Sequence, residues 1–347
     1  MSRYMCKNIV PYVPGEQPKQ KLIKLNTNES PFPPSPAAIV QAQRAAGELQ
    51  LYSDPECKAL KTAAAEYFGV TEDELLFTNG SDDILNFAFA AFCGEAAFAD
   101  ITYGFYSVLA GLHGVPCDIL PLKEDFTIDP DVYIGIGKTI FIANPNAPTG
   151  LALPLSDIER IVAGNPDNVV VIDEAYVDFG GESAVGLVKK YDNLLVVQTF
   201  SKSRSLAGGR LGFAVGHREL IKDLNTIKYS TNPYNVNRMT MAAGIGALQD
   251  VEYFEKNCKA ICATRSWVTK ELEQMGFAVL PSLTNFIFAR SEDIDGKTFN
   301  LKLREKGILV RHFDTDRLRD YNRITVGSDA QMRSFIESTK SILEEIK

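Results

Sequence analysis

The sequence predicts an α/β protein in which a mostly parallel sheet lies between helices and a smaller α+β unit follows. Three observations carry this. At 347 residues the chain exceeds what one hydrophobic core usually serves. Between Leu75 and Val197, short apolar runs alternate with amphipathic stretches, the βαβ rhythm of a sheet covered on both faces. Past Ala243 the rhythm gives way to one long helical stretch and then clustered strands. The expected division is an arm over residues 1–40, a large unit over 41–243 and a small unit over 244–347.

The arm is rich in Pro and Asn, from Pro11 to Pro34, without periodicity, and reads as extended chain lying near the small unit. Ala37 to Leu49 and Cys57 to Phe68 predict helices, the second stopped at Gly69. Leu75 to Thr78 predicts a strand feeding a helix from Ser81 to Phe92. Ala96 to Ala99 feeds one from Tyr106 to Leu112, and Thr139 to Ala143 one from Ser156 to Ala163. Val169 to Ile172 and Leu194 to Val197 are further buried strands. The small unit should hold a helix from Val251 to Met275 and strands at Phe277 to Leu280 and Asn285 to Ala289. A helix from Thr298 to Glu305, strands at Ile308 to Arg311 and Arg323 to Val326, and a closing helix complete it.

Composition narrows the function. An apolar share of 45% and a charged share of 23% are ordinary for a globular protein. A net charge of −8 with no basic block argues against nucleic acid as a partner. The most apolar stretch, Ile84 to Ala99, is broken by Asn86, Cys93, Gly94 and Glu95 and is too short for a bilayer. Met1 to Pro14 lacks the apolar core of a signal peptide, so a cytoplasmic protein is expected. Cys6, Cys57, Cys93, Cys117, Cys258 and Cys262 are scattered, and His113, His217 and His312 are isolated, so no metal site is expected. Gly135 to Thr139 imitates half a phosphate loop, but Val132 stands where its first Gly belongs and a strand follows, so it reads as a turn. No Gly-x-Gly-x-x-Gly follows the first strand, against a dinucleotide fold.

The chemistry concentrates at predicted strand ends, where open α/β sheets place ligands. Lys202 follows the strand at Leu194 and precedes Gly208, Gly209 and Arg210. A desolvated amine there suits Schiff-base formation with an aldehyde, although an arbitrary lysine is usually a solvated surface charge. Gly80 permits a sharp turn, after which Ser81, Asp82 and Asp83 offer N–H groups to a phosphate or merely cap a helix. Tyr103 is placed to stack on a planar ring or to fill the core. Asn144 to Gly150 is a turn-rich loop. Asp173 ends an apolar strand, where a carboxylate needs a cationic partner such as a protonated pyridine nitrogen. Tyr176 stands three residues on.

In chain order these segments resemble the fold-type I, class II pyridoxal-phosphate-dependent aminotransferases over nearly the whole chain, and within them the histidinol-phosphate branch. The resemblance rests on Leu25 to Glu29, Tyr52 to Glu56, Thr102 to Tyr106, Asp173 to Tyr176, Ser201-Lys202 and Arg323 to Gly327. It implies a large domain with a mostly parallel seven-stranded sheet, plus a smaller α+β domain. It implies pyridoxal 5'-phosphate carried on Lys202, with Asp173 on the pyridine nitrogen, Tyr103 on the ring and Tyr176 on the phenolic oxygen. Ser201, Arg210 and the N–H groups of Ser81, Asp82 and Asp83 would hold the phosphate. Tyr52 would reach that phosphate from the second subunit of a homodimer. Arg323 would grip the substrate anion, helped by Arg311, Tyr12, Asn28 and Tyr106. The implied reaction is a ping-pong exchange between a phosphorylated amino alcohol and the glutamate/2-oxoglutarate pair. The family loop reads Asn-Pro-Thr-Gly, its Asn bonding the phenolic oxygen, but here that place is Ala147; Asn146 is the residue that would shift to supply the bond. Similar sequences also include aromatic amino-acid aminotransferases and threonine-phosphate decarboxylases. A non-catalytic sensor is the alternative of another class, and the short, Pro-rich arm speaks against it.

Overall fold

A computed structural model describes residues 9–346, so Cys6 and the start of the arm lie outside the described residues. In chain order the arm and first half hold β1 (Ile23–Leu25), α1 (Pro36–Ala46), α2 (Lys58–Phe68), β2 (Leu75–Thr78), α3 (Ser81–Phe92), β3 (Ala96–Ala99) and α4 (Phe105–His113). Next come β4 (Cys117–Leu120), β5 (Thr139–Ala143), α5 (Leu155–Ala163), β6 (Val170–Asp173), β7 (Leu194–Thr199) and β8 (Gly212–Gly216). The helices α6 (Arg218–Thr231), α7 (Arg238–Gln249) and α8 (Val251–Gln274) lead to β9 (Phe277–Val279) and β10 (Phe286–Ser291). The chain closes through α9 (Gly296–Glu305), β11 (Ile308–His312), β12 (Tyr321–Thr325) and α10 (Asp329–Glu345).

Seven strands form one sheet in the order β2-β8-β7-β6-β5-β3-β4. Only β8 runs antiparallel to its neighbours, so the sheet is mostly parallel, as predicted. Period-two alternation sorts its side chains between two cores. Phe77, Ile142, Ile172, Val196 and Phe213 pack with residues of α2, α5 and α7. Leu76, Phe141, Val171, Leu195 and Ala214 pack on the other face with α3, α4 and α6. Each such side chain contributes roughly 1.5–3 kcal/mol on full burial.

Two strands of this sheet escaped the sequence reading for opposite reasons. β4 is the edge strand, its residues half-buried or exposed, so it shows no apolar run. β8 is buried throughout but opens and closes on glycine, which reads as a turn. At Gly212 the glycine answers to crowding, because a Cβ there would land on the Ser81 backbone nitrogen. The turn predicted at Gly135 leads into β5, with Lys138 bound to Asp118 at 2.6 Å and Glu95 at 2.9 Å.

The remaining strands form a sheet in the order β1-β11-β12-β10-β9, with β1 parallel to β11 and the other pairs antiparallel. Residues of α8, α9 and α10 bury its core, among them Ile261, Phe299 and Phe335. The arm thus enters this sheet through β1. The boundary expected at 243 falls inside α7, which packs on α1 and α2, whereas α8 packs on β9 and α10. No helix among the described residues is long and apolar enough to cross a membrane.

Candidate active site

The parallel strands β5, β6 and β7 end side by side: Ala143 pairs with Asp173, and Asp173 with Val197. A pocket of about 140 Å³ opens beyond these ends, lined by Ser81, Asp82, Tyr103, Asp173, Tyr176, Ser201, Lys202 and Arg210 among others. A cleft of about 630 Å³ adjoins it, and Tyr103, Ala147, Tyr176 and Lys202 line both.

Asp173 is the floor. Its Oδ2 accepts a hydrogen bond from Tyr106 Oη at 2.9 Å, while its Oδ1 has no partner among the described residues. Burial pushes the carboxyl up to about 6, against the Tyr106 bond that lowers it. A buried carboxylate oxygen without a donor is costly, and a cationic N–H in the pocket would satisfy it. Tyr106 itself is fully buried and does not line the cleft. The substrate contact expected of it is therefore not seen; it stands behind Asp173.

Lys202 stands three residues past β7. Its Nζ donates to Thr27 O at 3.4 Å and lies 5.7 Å from the Tyr176 ring centre. The segment behind it is fixed. Ser203 Oγ donates to Asp178, and Arg204 donates to Ala247 O while lying against the rings of Phe254 and Tyr67.

Across the pocket, α3 begins at Ser81 with its N–H groups at the cavity. Gly80 has φ 85°, and a Cβ there would collide with the Arg210 guanidinium. Arg210 donates to Asp82 Oδ2 at 3.1 Å, and Tyr103 Oη donates to Asp82 Oδ1 at 2.9 Å. Ser201 Oγ lies 3.0 Å from Thr199 Oγ1. This corner, a helix N-terminus with an arginine and a hydroxyl, suits a phosphate. The set as a whole fits pyridoxal phosphate: an anion corner, a cavity lined by Tyr103, a carboxylate oxygen without a described partner and an amine.

The cleft carries the anion-binding wall. Arg311 and Arg323 are register partners on β11 and β12, and both line it. Arg323 donates to Asn26 O at 3.0 Å and its Nε has no partner among the described residues. Among the described residues neither arginine has a carboxylate within ion-pair distance. Tyr12 stands edge-on to Tyr103 and Phe105 at the mouth. Asn28, which also lines the cleft, donates through Nδ2 to Tyr176 Oη at 3.0 Å.

Three further predicted residues do not line this chain's own pocket, the place expected for Asn146 and Asp83 but not for Tyr52. Asn146 donates to Ile101 O and Thr149 Oγ1 and accepts from Thr102 Oγ1, so its amide is committed away from the pocket. Asp83 accepts from Asn235 at 2.9 Å and does not line the pocket. Tyr52 is 81% exposed and stacks on Tyr234. Its loop is tied down by Arg238 to Tyr52 O, Ser53 to Val236 O and Lys228 to Pro55 O. Sequence reasoning gave no role to Asn26 and Thr27, though they lie in the Leu25 to Glu29 segment, nor to Thr199 and Phe313. The first two serve through backbone carbonyls, which leave no side-chain signal.

The chain matches the family described as aminotransferase class I and II over residues 20–338. It is 48% identical to the histidinol-phosphate aminotransferase of Clostridium acetobutylicum, with 97% of each chain covered. It is 49% identical to that of Brachyspira hyodysenteriae, with 98% of each covered. Its fold is similar to the histidinol-phosphate aminotransferase of Sinorhizobium meliloti solved with pyridoxal-5'-phosphate, at TM-score 0.85, 23% identity and coverage of 94% and 93%. It is also similar to the L-threonine-O-3-phosphate decarboxylase of Porphyromonas gingivalis, at TM-score 0.80, 23% identity and coverage of 93% and 100%.

Proposed function

The chain belongs to the class I and II aminotransferases, and on that premise we propose that it exchanges an amino group between histidinol phosphate and 2-oxoglutarate, yielding imidazole-acetol phosphate and glutamate. The observation that carries the reading is a buried carboxylate, one oxygen of which has no partner among the described residues, in a pocket that Lys202 shares with a cleft holding two arginines without a described carboxylate partner. The chemistry supplied by bound pyridoxal phosphate is an aldehyde for amines and an electron sink for the bond at substrate Cα.

The chain's own residues do the rest. Lys202 Nζ would hold the aldehyde carbon of the cofactor and, as a free amine, would take the proton from substrate Cα and move it across the intervening nitrogen. Asp173 Oδ1 would accept from a protonated ring nitrogen, and that bond would favour the ionised carboxylate against its burial. Tyr103 covers the ring, while Arg210, Ser201 and the N–H groups of α3 hold the phosphate. Arg323 and Arg311 take the substrate anion, a phosphate in one half-reaction and a carboxylate in the other. Tyr12 shields the mouth from water.

The exposed Tyr52 and Tyr234 pair on a tightly held loop supports a homodimer in which Tyr52 serves the partner's phosphate corner. The absence of a bilayer-length helix among the described residues is consistent with a cytoplasmic enzyme. Parallel assays with histidinol phosphate, phenylalanine and threonine phosphate test the substrate. Histidinol phosphate should give the highest kcat/KM. Release of CO2 from threonine phosphate without 2-oxoglutarate would instead make the chain a decarboxylase, the activity named for one fold neighbour.

A further inference from the structure

Asn28 is 1% exposed, has φ 57° and is bound on every polar side. Its backbone N–H donates to Thr325 Oγ1 at 3.0 Å, and its carbonyl accepts from Asn285 Nδ2 at 2.9 Å. Thr325 Oγ1, having accepted that N–H, donates its own proton to Asn28 Oδ1 at 3.0 Å. This chain of donors fixes which way the amide faces. Oδ1 is taken by Thr325, so Nδ2 is the group presented to Tyr176 Oη at 3.0 Å.

The consequence falls on Tyr176. A phenol that accepts from an amide keeps its own proton to donate elsewhere. Tyr176 lines both the pocket and the cleft, with its ring edge-on to Phe286. The charged and titratable groups around it are Lys202, Arg323 and Tyr12, and among the described residues only Asn28 is hydrogen-bonded to Oη. Ala147, which also lines both cavities, offers no polar atom.

We propose that Asn28 is a positioning residue that holds Tyr176 as a hydrogen-bond donor toward the phenolic oxygen of the cofactor, the task for which this chain has no side chain at Ala147. The proposal rests on the reading that Lys202 carries pyridoxal phosphate with Tyr176 beside that oxygen. Donation to the phenolic oxygen stabilises its anion, so it lowers the apparent pKa of the Lys202-linked chromophore. The arrangement also ties the tuning of the cofactor to β12, through Thr325, and to the segment before β10, through Asn285.

The test is the pH dependence of the visible absorbance of the holoprotein. Asn28→Asp keeps size and tolerance of positive φ, but its carboxylate accepts the Tyr176 proton and turns the donor away. It should raise the apparent pKa by about one unit, a tenfold change in the proton equilibrium. Thr325→Val keeps the Asn28 side chain but removes both the donor to its Oδ1 and the acceptor of its backbone N–H, so the amide is free to turn and the shift should have the same sign and be smaller. It also serves if Asn28→Asp does not fold. Ala147→Asn supplies a second donor and should shift the titration downward, also in the Asn28→Asp background. Curves for Asn28→Asp and Thr325→Val that overlay the parent, while Tyr176→Phe shifts, would overturn the role of Asn28. A Tyr176→Phe protein that titrates like the parent would overturn the placement of Tyr176 itself.

Discussion

Asp173 is a buried charge and Arg323 a half-buried one, and among the described residues each leaves one buried polar atom without a partner, yet they are held in different ways. Asp173 ends the central strand of a parallel sheet, clamped between β5 and β7, with Tyr106 from α4 behind it. Arg323 stands on β12 of the smaller sheet and reaches across to a backbone carbonyl of the arm, Asn26 O. The floor is therefore built within one unit, whereas the anion wall needs the arm and the small sheet together. Chemistry that must not vary sits on the rigid part. Recognition of two different substrates sits where two pieces of chain meet.

Substitutions on the two sides should separate accordingly. Lys202→Ala removes both the carrier and the base, and transamination should fall by at least about 10⁴-fold in steady-state assays. Arg323→Ala should leave the visible band of the holoprotein intact while raising KM for both substrates by roughly 10–100-fold, the loss of one charge-assisted contact. A band lost in Arg323→Ala would mean that floor and wall are not independent.

The smallest effect contrasts Asp173 with its neighbour Glu174, which is buried but fully partnered by Ser183, the Ala184 N–H and Gln198. Burial raises Glu174 to about 7 from its ordinary 4.5. As pH rises the unfolded chain gives up this proton first, so folding stability falls between about pH 4.5 and 7 and stays lower above that window. The upper bound on this loss is about 3 kcal/mol. Glu174→Gln should flatten that slope in urea unfolding of cofactor-free protein at pH 5 and pH 7.5. An unchanged slope would assign the pH dependence to other groups.

The same division explains what the sequence could reveal. Apolar runs ending in a polar residue mark Asp173 and Lys202, because a strand buried on both faces must be apolar until it reaches the edge. Gly80 announces the turn before α3 because its φ of 85° favours glycine. The wall left weaker traces. Asn26 and Thr27 act through carbonyls, and β1 is a three-residue strand in a Pro-rich arm. Tyr106 was placed in the right region but on the wrong side of Asp173. Its position on α4 fixes the helix face, and nothing local tells which neighbour that face meets. Asn146 is the counterpart in the loop, since only the fold shows its amide consumed by Ile101, Thr149 and Thr102.

The claim on which both halves depend is that Lys202 carries the cofactor. Borohydride reduction of the yellow holoprotein, followed by proteolysis and mass spectrometry, fixes the cofactor to whichever amine holds it. The phosphopyridoxyl group should appear on the peptide containing Lys202 and be absent after prior incubation with histidinol phosphate. Its appearance on another lysine, such as the buried Lys228 that holds the Tyr52 loop, would contradict the account.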